Sequence, residues 1–75
     1  MEQTIKQLKQ QGIESFEKNG VLVIPCTLPE DIYPTCEKVR RIFKETGFNK
    51  SWQIDPYFYD KKRDENGAVV VGPDL

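Results

Sequence analysis

The run Val21-Leu22-Val23-Ile24, closed by Pro25, decides how the rest of the chain is read. It is short, uninterrupted and mostly β-branched, the pattern of a strand covered on both faces. The same pattern recurs at Ala68-Val69-Val70-Val71, which Gly72-Pro73 stops. Between these runs, Trp52, Ile54, Pro56 and Phe58 alternate with Gln53, Asp55, Tyr57 and Tyr59. That two-residue period predicts a third strand. Pro56 has no N–H to give to a ladder, which assigns this strand to a sheet edge.

Helical periods surround the first run. On its N-terminal side Met1, Ile5, Leu8, Gly12 and Phe16 form one apolar stripe. A glycine inside a helix costs about 1 kcal/mol. Because the stripe resumes in phase at Phe16, Gly12 is read as a point of close approach rather than a break. Asn19-Gly20 then predicts the end of that helix, with Gly20 left-handed and Val21 folded back on Phe16. On the C-terminal side Thr27 and Glu30 have the spacing of a capping box. The second stripe follows as Ile32, Cys36, Val39, Ile42 and Phe43. Pro34 either kinks this helix or begins it after a separate turn over 28–32. Gly47 is its stop, with Phe48 placed to pack on Phe43.

The order α-β-α-β-β predicts a single small α+β domain spanning residues 1–75. Its expected form is a mixed three-stranded sheet, strand order 1-3-2, with both helices on one face. Residues 60–67, which end in Asn66-Gly67, are expected to be a flexible charged hairpin connection. The expected core is Ile5, Leu8, Phe16, Leu22, Ile24, Ile32, Val39, Ile42, Phe43, Trp52, Phe58 and Val70. With 75 residues, 37% of them apolar, that core covers one side of a small sheet and leaves the other thinly protected.

Composition narrows function mainly by subtraction. There is no histidine, so the commonest general base and metal ligand is missing. The net charge of −1 argues against a protein built mainly to neutralise phosphates. Its distribution is uneven: residues 36–63 are basic, while both flanking segments are acidic. No apolar run is long enough to span a membrane. The N-terminus lacks the basic and apolar regions of a secretion signal, so the cytoplasm is the expected compartment. Cys26 and Cys36 are accordingly expected as reduced thiols.

Cys26 lies between a strand and a helix, where a helix N-terminus can activate a thiol. A thiol enzyme at Cys26 lacks its supporting residues, however. No histidine and no second cysteine two positions on accompany it, and Ile32 stands where an arginine would hold a phosphate. Both cysteines are better read as small buried residues. Two cysteines ten positions apart make no zinc site. Asp60, Asp64 and Glu65 lack the alternating ligands of a calcium loop. The five scattered glycines form no phosphate-cradling loop. The expectation is a non-enzymatic chain with no cofactor and no metal.

What remains is an aromatic and basic set. If Trp52, Ile54 and Phe58 face the helices, then Gln53, Tyr57 and Tyr59 line the opposite, uncovered face. Tyr, Trp and Arg dominate protein interfaces, and small domains often gain stability by association. The leading expectation is an interaction module that binds a protein partner or a second copy through Gln53, Tyr57 and Tyr59. The alternative is nucleic acid, gripped by that face together with Arg40, Lys44, Lys61, Lys62 and Arg63. Against the alternative, Glu37, Arg41 and Glu45 have the i,i+4 spacing of an ordinary solvated helix face.

Overall fold

In the computed structural model, residues 2–47, 49, 51–58, 60, 62 and 66–73 are described. They form α1 (Glu2–Gln10), β1 (Phe16–Lys18), β2 (Val21–Cys26), α2 (Ile32–Thr46), β3 (Gln53–Tyr57) and β4 (Gly67–Gly72). A single 3₁₀ turn at Pro29–Asp31 precedes α2. The result is a small α+β domain of two helices and a four-stranded antiparallel sheet.

The sheet corrects two expectations. It has four strands, not three, in the order β1-β2-β4-β3, and every neighbouring pair is antiparallel rather than mixed. The extra strand comes from a misread helix. α1 ends at Gln10, and Gly12 takes φ +80. The Gly12 amide donates to the Lys9 carbonyl at 3.0 Å, and the Ile13 amide to the Leu8 carbonyl at 2.9 Å. This pair of bonds is a Schellman stop, with Leu8 and Ile13 both buried beside it. Gly12 is therefore a break, not a close approach.

Phe16 falls outside the helix and lies on β1. Asn19 (φ 52) and Gly20 (φ 81) form the two-residue turn that joins β1 to β2, with Lys18 opposite Val21. Positive φ at both positions is the type I′ hairpin geometry that asparagine and glycine favour. The left-handed signal was read correctly, but it turns a hairpin instead of ending a helix.

Before α2, the 3₁₀ turn is the separate turn that Pro34 made one of two options. The helix itself starts at Ile32, two residues earlier than that option placed it. Pro34 sits in the first turn, where its missing N–H would have had no intrahelical partner anyway. No side-chain cap bond forms at either N-cap, Leu28 or Asp31, so the Thr27–Glu30 capping box does not operate. Gly47 ends α2 at φ 70, as its position predicted. The expected Phe48–Phe43 contact and half of the 60–67 connection, residues 61 and 63–65, lie outside the described residues.

One core lies between the helices and the sheet. It joins Leu8 and Ile13 to Leu22, Ile24 and Cys26 of β2, to Val69 and Val71 of β4, and to Ile32, Cys36, Val39, Ile42 and Phe43 of α2. Ile5, Trp52 and Ile54 pack half-buried against it. Three expected core residues are elsewhere. Phe16 is 48% exposed and Phe58 47% exposed. Val70 points to the far face of the sheet, since its neighbours Val69 and Val71 hold the core side. In a run of three valines the alternation has no polar residue to set its phase.

Candidate functional site

The face of the sheet opposite the helices is assembled by register. Phe16 pairs with Val23, Val23 with Val70, and Val70 with Asp55, one line across all four strands. The next line joins Pro25, Ala68 and Tyr57. Phe16, Val23, Val70, Ala68 and Tyr57, with Lys18 and Asn66, line a depression of about 350 Å³. The Phe16 ring and the 44%-exposed Tyr57 ring leave much of their surface to solvent.

Two of the three expected partner-binding residues are placed on this face. Gln53 opens β3 opposite Gly72, and Tyr57 closes it opposite Ala68. Tyr59 lies outside the described residues. Phe16 is the ring that reading the sequence missed, because it was counted as a core helix residue. Taking Asn19-Gly20 as a hairpin turn would have found it. Phe58 does not join the core; its ring centroid lies 5.5 Å from that of Tyr33 on α2.

Two of the five cations of the nucleic-acid alternative, Arg40 and Lys44, do not share a face with Tyr57. Arg40 and Lys44 stand on α2, beside Ile54 and therefore on the helical side of the sheet. Arg40 pairs with Glu37 at i,i+3, in place of the expected Glu37–Arg41 pair. The backbone amide of Lys62 donates to Asp60 Oδ1 at 3.0 Å, a local turn bond. Lys61 and Arg63 lie outside the described residues.

Arg40 and Lys44 line a cleft of about 450 Å³ with Phe43, Asn49, Trp52 and Ile54. The rings of Phe43 and Trp52 meet edge to face, with centroids 6.4 Å apart. The side-chain amide of Asn49 donates to the Thr4 hydroxyl at 2.7 Å and ties this end of the cleft to α1.

The thiols sit deeper. Cys26 ends β2 and is buried, its sulfur 3.8 Å from the Ile24 carbonyl oxygen and 3.9 Å from the Thr35 hydroxyl. A recess of about 320 Å³ beside it is lined by Pro25, Thr27, Asp31, Pro34, Thr35 and Lys38. None of these supplies the imidazole that thiol catalysis commonly uses as its base. Cys36 is buried on α2, and burial pushes its thiol above the ordinary range while Arg40 opposes the shift. Neither Cys26 nor Cys36 is in a disulfide.

Among the described residues, no group of three or more cysteine, aspartate or glutamate side chains gathers to hold a metal ion. No described helix is long and apolar enough to cross a membrane. No family model matches the chain, and no curated protein or solved structure matches it either.

Proposed function

We propose that this chain is a small non-enzymatic interaction module that binds a protein partner or a second copy through the open sheet face. The observation that supports this reading is the pairing of two exposed rings, Phe16 and Tyr57, with the half-buried valines Val23 and Val70. Large rings beside small apolar residues are the makings of a desolvated interface centre. Gln53, Asp55 and Lys18 supply polar groups around it.

Association by face suits this sheet better than extension at its edges. β1 is three residues long, and Pro56 contributes no N–H to β3. Short or proline-bearing edges discourage strand addition. The test compares the full chain with Phe16→Ala and Tyr57→Ala, each checked for native circular dichroism. Self-association by light scattering, or capture of a protein, that both substitutions abolish supports the reading. A monomer that captures nothing, or capture indifferent to both substitutions, overturns it.

A further inference from the structure

The cleft between α2 and β3 lies across the sheet from the surface just described and calls for a different ligand. Its volume of about 450 Å³ falls among small-molecule sites. It combines an apolar part, Phe43, Trp52 and Ile54, with two cations, Arg40 and Lys44, one helical turn apart. The edge-to-face contact with Phe43 fixes the orientation of the Trp52 indole.

Both cations have donors to offer. Lys44 makes no ion pair among the described residues. Arg40 is paired with Glu37, but both side chains are exposed, and surface pairs of that kind are weak. A guanidinium also has five donors, so one carboxylate does not exhaust it. An aliphatic anion would leave the indole unused, and a neutral ring would leave both cations unused. A ligand with a flat ring at one end and a phosphate at the other uses both.

We propose that this cleft binds a nucleotide unit, with its base against Trp52 and its phosphate between Arg40 and Lys44. The unit belongs either to a free mononucleotide or to a single strand, since both present the same ring and phosphate. The sheet face plays no part in this site.

Trp52 is the chain's one tryptophan, so its fluorescence reports on the cleft directly. The full chain is titrated with AMP, adenosine, inorganic phosphate and a short single-stranded oligonucleotide. Saturable quenching is expected with AMP or the oligonucleotide, with adenosine and phosphate each binding more weakly. Arg40→Gln and Lys44→Gln should each weaken binding about tenfold, the loss of one charge-assisted hydrogen bond. Tyr57→Ala should leave it unchanged. Tighter binding of the oligonucleotide assigns the site to strands, and tighter binding of AMP to the free nucleotide; either result upholds the proposal. No saturable change with AMP or the oligonucleotide, adenosine binding as tightly as AMP, or an R40Q/K44Q double variant that binds normally overturns it.

Discussion

The amide of Ile13 donates to the carbonyl of Leu8 at 2.9 Å, closing the chain over Gly12 at φ +80. This bond separates α1 from β1 and so gives the sheet its fourth strand. A Cβ at Gly12 would meet no atom within 4 Å, so a side chain there is opposed only by the backbone conformation. Gly12→Ala is expected to lower stability by about 1–2 kcal/mol. Gly12→Asn should recover part of that, because asparagine tolerates the left-handed region. Urea midpoints measure both; an unchanged Gly12→Ala midpoint would contradict this stop.

Leu22 and Val23 are adjacent on β2 and face opposite ways, with Leu22 fully buried and Val23 half-buried on the open face. Leu22→Ala is expected to cost about 2–5 kcal/mol. For a chain of this size the whole stability is about 4–11 kcal/mol. Val23→Ala should cost less than half as much as Leu22→Ala. Chemical denaturation of the two variants checks the facing of the sheet, and a reversed ranking would invert it.

Phe16 and Tyr57 contribute exposed ring surface rather than core. Phe16→Ser and Tyr57→Ser are each expected to stay within about 1 kcal/mol of the parent in stability. Static light scattering over a concentration series should show weaker attraction between molecules for both. A large loss of thermal stability in either would show that the ring is structural.

The buried Cys36 thiol has a raised pKa in the folded chain, chiefly through desolvation. The folded state therefore holds this proton more tightly than the unfolded state does. The associated stability is fully present below the ordinary thiol pKa of about 8.5, and is lost as pH rises through the folded value. Replacing Cys36 with Ala should flatten the alkaline part of the stability profile. Urea midpoints of parent and variant between neutral and alkaline pH give the comparison; parallel profiles would refute the linkage.

Cys26 and Cys36 are 5% and 3% exposed. Alkylation of both at neutral pH is expected to be slow in the native chain and fast in denaturant. Mass spectrometry of a timed iodoacetamide reaction resolves the two sites. Rapid native labelling of Cys26 would revive a thiol chemistry there.

Much of the fold was legible in the sequence, and the failures share one cause. β2, β4 and α2 announce themselves through long or uninterrupted apolar patterns, and Gly47 ends α2 where expected. Phe16 continued the stripe of α1 by coincidence of phase, and that coincidence outweighed Gly12. Gly12 and Asn19-Gly20 both specify positive φ, and a short pattern does not say whether a helix or a strand precedes it. The phase of Val69-Val70-Val71 was unreadable for a related reason, since no polar residue marks the solvent side. Gln53 and Tyr57 were placed on the open face because β3 alternates visibly. The cleft was not legible, because it forms where Arg40 and Lys44 meet Trp52 and Ile54 from another element.

The pairing of β2 with β4 has a kinetic consequence. On the ribosome, β2 emerges with its β1 partner already made, and their tight hairpin can close within microseconds. The neighbour on its other edge, β4, is made only after α2 and β3, and joining Cys26 to Gly67 means closing a loop of about 40 residues. Until then Leu22 and Ile24 lack Val71 and Val69, their cross-strand neighbours in the core. The nascent chain thus carries a half-made sheet with an open hydrogen-bonding edge, the stage at which it is most exposed to mispairing.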